Sequence, residues 1–238
     1  MTGEQAAQSQ RGDGHASRAQ PMRYAQAYDG LLFDMDGTVL TSIAAAERAW
    51  RRWATKHGLD VASFLPTIHG VRTIDTVRNS GVPDLDYEAE AQAIIESEID
   101  DVADIKPIDG AVAFLQSLPR DRWAIVTSAP RRLAESRIAA AGLPHPGILV
   151  SGDDVEHGKP APDPFVLGAQ RLALPIAGCL VFEDAPAGIV AGESAGADVL
   201  VVAATHSAPQ HSGHWTIRSY REIHAQPLES GRVRVRPV

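Results

Sequence analysis

Five short apolar runs recur along the chain: Leu31-Leu32-Phe33, Trp123–Val126, Ile148–Val150, Cys179–Phe182 and Val199–Val202. Each is too short for a helix of its own, and each is apolar without alternation. A strand of that kind is buried on both faces, which is the condition of a parallel sheet covered by helices. The intervening segments fit that role. Pro130–Ala141 is closed by Gly142 and Ala187–Ala195 by Gly196, with proline at or near the start and glycine just past the end, ordinary helix punctuation. Strands alternating with helices predict an α/β chain with a parallel, Rossmann-like sheet as its core.

One stretch breaks the alternation. From Ser42 to about Lys106 the pattern is helical and contains no convincing strand. Ala46, Ala49, Trp50, Trp53 and Ala54 recur at helical spacing before Gly58, and the two tryptophans read as packing residues. A second helix is expected over Tyr87–Ile99, after the Gly81-Val82-Pro83 break. The expectation is therefore a core of residues 29–41 and 107–225, with a helical cap domain, 42–106, inserted after the first strand. Its hinges fall near Thr41–Ser42 and Lys106–Pro107. Residues 1–28 are rich in Gln, Ala, Ser, Gly and Arg without apolar period and read as a disordered tail; 226–238 reads as a C-terminal tail.

Charge and composition exclude several roles. The 238 residues carry a formal charge of −8, whereas nucleic-acid binding calls for basic patches, so no nucleic-acid partner is expected. No apolar run spans a bilayer and the polar N-terminus lacks a secretory apolar stretch, so no membrane partner is expected either. The single cysteine, Cys179, lies in a strand-like run and reads as a buried small hydrophobe. These features predict a cytoplasmic, monomeric protein acting on a small molecule.

In open parallel sheets ligands bind beyond the carboxyl ends of the strands. Four runs end in groups suited to chemistry there. The first continues into Asp34-Met35-Asp36-Gly37-Thr38 and the second into Thr127-Ser128. The third is followed by Gly158-Lys159-Pro160, and the fourth runs into Glu183-Asp184. One aspartate after a strand is often only a helix cap. Four such groups in succession are hard to obtain from capping. Lys159 is one of only three lysines, which sets it apart from generic surface charge. Asp163, before Pro164, reads as a structural N-cap.

These groups carry a resemblance. Asp34-Met35-Asp36-Gly37-Thr38 resembles the signature of the haloacid dehalogenase-like superfamily, and the later three groups resemble its later motifs, from about Asp29 to Ala204. Gly158–Phe165 and Phe182–Gly188 are similar to phrases of the phosphoglucomutase-like subgroup. Ala45–Trp50, His69–Thr73 and Trp123–Ser128 look most like its glycerol-phosphate and 2-deoxyglucose-6-phosphate phosphatases. The resemblance implies phosphoryl transfer with Asp34 as nucleophile and Asp36 as general acid and base. It implies Mg²⁺ held by Asp34, the Asp36 carbonyl and Asp184. Glu183 is then either a further ligand or a partner of the ligands. Lys159, Thr127 and Ser128 would bind the phosphate.

In the cap, the resemblance places a specificity loop at His69-Gly70-Val71-Arg72-Thr73. Arg72 is expected either to hydrogen-bond substrate hydroxyls or to close over the core site, and His69 to do likewise or to pack within the cap. The subgroup commonly has an Asp-Ser pair where this chain has Thr41-Ser42. The expected function is a phosphatase of small sugar or polyol phosphates. Alternatives are a phosphomutase with the same catalytic residues, or a non-catalytic binding protein that keeps the fold.

Overall fold

The computed structural model describes residues 26–205 and 213–238. Its core is a six-stranded sheet whose neighbouring strands all pair in parallel. In spatial order the strands are Leu149–Val150, Trp123–Val126, Gly30–Phe33, Cys179–Glu183, Asp198–Val202 and Trp215–Ile217. The last was not among the expected strands, because Trp-Thr-Ile is too short to stand out from a loop. The Gly30–Phe33 strand is central, and its neighbours are Trp123–Val126 and Cys179–Glu183. Three of the four candidate groups are thereby brought side by side at one edge of the sheet.

The apolar runs are continuous because both faces are covered. Leu31, Phe33, Trp123, Ile125, Leu180 and Phe182 enter one buried cluster, with Phe114, Leu133 and Tyr220. Leu32, Ala124, Val126, Val181 and Val199 enter the other, with Phe165 and Ile189. Residues two apart share a face, as the pleat of a strand requires. On the first face Phe33 and Phe182 stack with ring centres 4.4 Å apart, bracing the two strands that end in Asp34 and Glu183. Cys179 is buried and reduced, as expected. The helices run over Arg131–Ala140 and Pro186–Ala195, within one residue of the expected bounds. Asp163 does not cap its helix. It is the first helical residue of Asp163–Arg171, after Pro162, and its Oδ1 lies 3.3 Å from His157 Nδ1.

Between the first and second core strands run the helices Ile43–Lys56, Val61–Phe64, Thr73–Asn79 and Tyr87–Ile99. They enclose a separate apolar cluster that includes Trp50, Trp53, Leu65, Val77 and Ile94. Trp50 and Trp53 meet edge to face, and Trp53 Nε1 donates to Glu90 Oε2 at 2.8 Å, so the buried indole leaves no unpaired donor. At the two expected hinges, Leu40–Thr41 pairs antiparallel with Lys106–Pro107. This small ribbon ties together the two ends of the helical insert.

The two tails require correction. Most of 1–28 lies outside the described residues, but Ala27–Tyr28 is a strand, and Tyr28 is buried. Residues 226–238 are not a tail: Ile223–Pro227 and Val233–Pro237 form a hairpin, and Ala27–Tyr28 adds to its outer strand. Val233 and Val235 are fully buried in the first core cluster. The alternation Arg232-Val233-Arg234-Val235-Arg236 is itself a strand pattern, half buried and half solvated. Among the described residues no helix is long and apolar enough to cross a membrane.

Candidate active site

Asp34 leaves the carboxyl end of the central strand and stays pinned to its neighbour, its N–H donating to the Phe182 carbonyl at 2.9 Å. The chain then turns tightly: Gly37 N–H donates to Leu40 O at 2.7 Å and Val39 N–H to Met35 O at 3.0 Å. Gly37 has φ +89°, a conformation that glycine adopts without steric cost. A Cβ at this position would also overlap the Asp184 carboxylate, so this turn and Asp184 coexist only with glycine there. Thr38 Oγ1 donates to Asp184 Oδ1 at 3.1 Å, fixing the second aspartate against the first turn.

Lys159 is the buried hub. Its ammonium donates to Asp34 Oδ1 at 2.6 Å, Glu183 Oε1 at 2.7 Å and the Val126 carbonyl at 3.1 Å, and it stands 4.7 Å above the Phe165 ring. Three donors thus meet three acceptors, which compensates a lysine that is 1% exposed. Both oxygens of Glu183 are engaged. Oε1 faces Lys159, and Oε2 accepts the N–H groups of Asp184 and Ala185 at 2.8 and 2.9 Å. Gly188 permits this, since a Cβ there would overlap the Glu183 carboxylate.

The electrostatics are unbalanced. Burial, and then the Glu183 charge, push Asp34 up to about 7 against the lowering pull of Lys159. Burial and the Asp184 charge also raise Glu183. Burial opposes the charge on Lys159, yet the Asp34 and Glu183 carboxylates outweigh it and raise the lysine pKa. Three buried carboxylates, Asp34, Glu183 and Asp184, bring oxygens within 4.8 Å of one another around one ammonium. The surplus negative charge and the all-oxygen donor set suit a hard divalent cation.

Above this cluster, a cavity of about 70 Å³ opens between the sheet and the helical insert, lined by Asp34, Asp36, Thr127, Ser128, His69 and Trp50 among others. Trp50 therefore packs the insert and also faces the cavity. At roughly 10–15 Å³ per water-sized group, the cavity holds on the order of five to seven. Asp36 Oδ1 accepts from Ser42 Oγ and, at 2.9 Å, from Arg137 Nη1. Ser42 sits at the N-cap of Ile43–Lys56 but makes no side-chain cap bond; its hydroxyl goes to Asp36 instead. Thr127 Oγ1 accepts from Ala129 N–H at 3.0 Å, and Ser128 Oγ reaches across to the Gly70 carbonyl at 2.9 Å.

Arg72 is not brought to the cavity. Its guanidinium donates to both oxygens of Asp75 and, at 3.0 Å, to the Val155 carbonyl, and it packs over Gly158, where a Cβ would stand 2.7 Å from Nε. Of its two expected roles, reading substrate hydroxyls or closing over the core site, the contacts Arg72 makes here are those of a clasp between the insert and the loop before Lys159. Two charged lining residues were not anticipated, Glu98 and Arg137. Each reads in sequence as a charge on a helix face; only their burial, 3% and 4% exposed, sets them apart.

Residues 28–196 match the family model of haloacid dehalogenase-like hydrolases. The chain is 41% identical over 185 residues to hexitol phosphatase A of Escherichia coli (strain K12), an alignment covering 76% of this chain and 86% of that protein. It is 35% identical over 187 residues to glycerol-1-phosphate phosphohydrolase 2 of Saccharomyces cerevisiae, covering 73% and 74%. A crystal structure of a hydrolase from Pseudomonas syringae superposes with a TM-score of 0.72 at 24% identity, over 80% of this chain and 93% of that one, a likeness of fold. The chain belongs to the haloacid dehalogenase-like hydrolases.

Proposed function

We propose that this chain is a Mg²⁺-dependent phosphatase of small sugar or polyol phosphates that works through an aspartyl-phosphate on Asp34. The observation that carries the reading is the placement of Asp34. It lines the cavity, held at 2.6 Å by Lys159, and Asp36 lines the same cavity. The names of the relatives, a hexitol phosphatase and a glycerol-1-phosphate phosphohydrolase, support the substrate class.

In the first half-reaction the Asp34 carboxylate attacks phosphorus, the ester P–O bond breaks, and Asp36 gives its proton to the departing alkoxide. In the second, water attacks the acyl phosphate, Asp36 takes the proton from that water, and Asp34 leaves with inorganic phosphate as product. Asp34, the Asp36 carbonyl and Asp184 would hold Mg²⁺, which supplies charge neutralisation between the carboxylate and the phosphate. Glu183 has both oxygens committed to Lys159 and to backbone N–H groups, and serves as the partner that orients them. Lys159 offsets charge on the transferring phosphoryl group, and Thr127 and Ser128 bind its oxygens.

The helical segment 42–106 acts as a cap, with the Leu40–Thr41 and Lys106–Pro107 ribbon as its hinge, and shields the acyl phosphate from bulk water. The deciding experiment pairs turnover of an aryl phosphate and a panel of polyol and sugar phosphates with acid-quench trapping of a phosphorylated Asp34 in wild type. Turnover with no phosphorylated Asp34 at any quench time sinks the mechanism.

A further inference from the structure

We propose that Glu98 and Arg137 are the specificity pair of this site. They read a hydroxyl on the carbon next to the phosphoester, and so select open-chain polyol phosphates. The proposal rests on the phosphatase reading above and deepens it.

Both side chains line the cavity that holds Asp34 and Asp36, yet they come from different layers. Glu98 belongs to the helix Tyr87–Ile99 of the insert and Arg137 to the helix Arg131–Ala140 on the sheet. Arg137 spends one nitrogen on Asp36, Nη1 to Oδ1 at 2.9 Å. Its Nη2 stands 3.3 Å from Glu98 Oε1, an ion-pair separation without hydrogen-bond alignment. Among the described residues Nε has no hydrogen-bond partner, and Nη2 has no aligned hydrogen bond beyond its electrostatic contact with Glu98. A buried guanidinium with one nitrogen unpartnered and a second only ion-paired is costly in a folded protein, and such groups usually answer to a ligand or to water.

The chemistry of the pair narrows that ligand. A hydroxyl both donates and accepts, so it can give its proton to the Glu98 carboxylate while taking an N–H from Arg137. A second phosphate only accepts and would meet the Glu98 charge; an amine cation would meet Arg137. The pair thus suits a neutral hydroxyl-bearing chain and opposes bisphosphates. Position follows from connectivity. The guanidinium that offers these donors also holds Asp36, the group placed at the leaving oxygen. The hydroxyl that this guanidinium would read is therefore assigned to the carbon adjoining that oxygen. In a pyranose 6-phosphate the oxygen on that carbon is a ring ether, which has no proton for Glu98.

The test compares kcat/KM for glycerol 1-phosphate and propane-1,3-diol monophosphate, which differ only in that hydroxyl, with an aryl phosphate as reference. Wild type should prefer the hydroxylated ester about tenfold or more, the effect of a hydrogen bond to a charged group. In Glu98→Gln and Arg137→Met, checked for a cooperative thermal transition, the ratio should collapse toward one. A merely structural role would lower both esters together and leave the ratio standing. Wild type showing no preference overturns the proposal, whether or not the variants fold, and so does an unchanged ratio in folded Glu98→Gln. Aryl phosphate turnover with no hydroxyl preference overturns this pairing alone. Failure to hydrolyse any phosphomonoester overturns the phosphatase reading and the pairing with it.

Discussion

Arg72 Nη1 donates to the carbonyl of Val155 at 3.0 Å, joining the helical insert to the loop that leads into Lys159. The same side chain is half of an ion pair with Asp75 one turn on. Truncating it should therefore loosen closure of the proposed cap and leave recognition of the substrate's tail intact. Arg72→Ala is expected to lower kcat/KM for a polyol phosphate and for an aryl phosphate by similar factors, about tenfold for one charge-assisted hydrogen bond. Steady-state kinetics on both substrates checks this. A loss confined to the polyol phosphate would return Arg72 to substrate recognition.

The two aspartates of the first turn should separate cleanly. Asp34→Asn is expected to abolish turnover and acid-stable labelling of the protein by substrate phosphorus, because an amide is a poor nucleophile. Asp36→Asn should lose about 10²–10⁴-fold on a polyol phosphate, the usual range for general acid catalysis. An aryl phosphate, whose leaving group needs less protonation, should suffer less. Equal losses on the two substrates would argue against Asp36 as the acid.

Metal dependence has a readout in stability as well as in rate. Mg²⁺ should raise the thermal midpoint of wild type by mass action and should restore turnover lost to a chelator. The rise should shrink in Asp184→Asn, since Asp184 is one of the three carboxylates gathered within 4.8 Å. Full activity in excess chelator would refute the assignment.

Lys159 is expected to matter for folding as much as for chemistry. Lys159→Met leaves Asp34 and Glu183 buried and facing each other without their shared cation. Breaking a buried pair from one side typically costs about 3–5 kcal/mol, readable by urea denaturation in the absence of Mg²⁺. Adding Glu183→Gln to Lys159→Met should recover part of that loss. A strictly additive double variant would mean that the two residues do not share one charge balance.

Glu90 offers a pH test away from the site. Lys56 above all, with Trp53 and His57, holds its carboxyl down at about 2. A depressed carboxylate contributes stability in full above its unfolded value near 4.5, and that contribution is lost as pH falls through about 2. Wild type should therefore lose stability across this window. Glu90→Gln should start about 1 kcal/mol less stable at neutral pH, for the weakened bond to the Trp53 indole, and show a flatter acid limb. Tryptophan fluorescence melts between pH 6 and 2 measure both. Parallel acid limbs in the two proteins would contradict the assignment.

Much of the architecture was legible along the chain. The continuous runs ending at Phe33, Val126, Val150 and Phe182 announce strands buried on both faces, and the four polar groups that follow them announce the edge where ligands bind. The helix over Tyr87–Ile99 has the bounds that its pattern suggests. Such signals are local, since a strand or helix declares itself by periodicity within one element. The hairpin at Val233 and Val235 is equally local, since the alternation over 232–236 is a strand pattern although the segment was expected to be a C-terminal tail.

Tertiary structure alone decided the rest. Arg137 meets Asp36 across 101 positions, and Lys159 meets Asp34 across 125. The sequence sets Lys159 apart by its scarcity and its motif, whereas it leaves Arg137 and Glu98 indistinguishable from the solvated charges beside them. Their burial, Arg72's turn toward Val155 and the commitment of both Glu183 oxygens depend on how the helical insert docks over the sheet. Docking is a sum of contacts between distant segments, and no single segment carries it. Residue types along a chain specify the chemistry available to it, while the partner each charge finds is set by which surfaces the folded chain brings within about 3 Å.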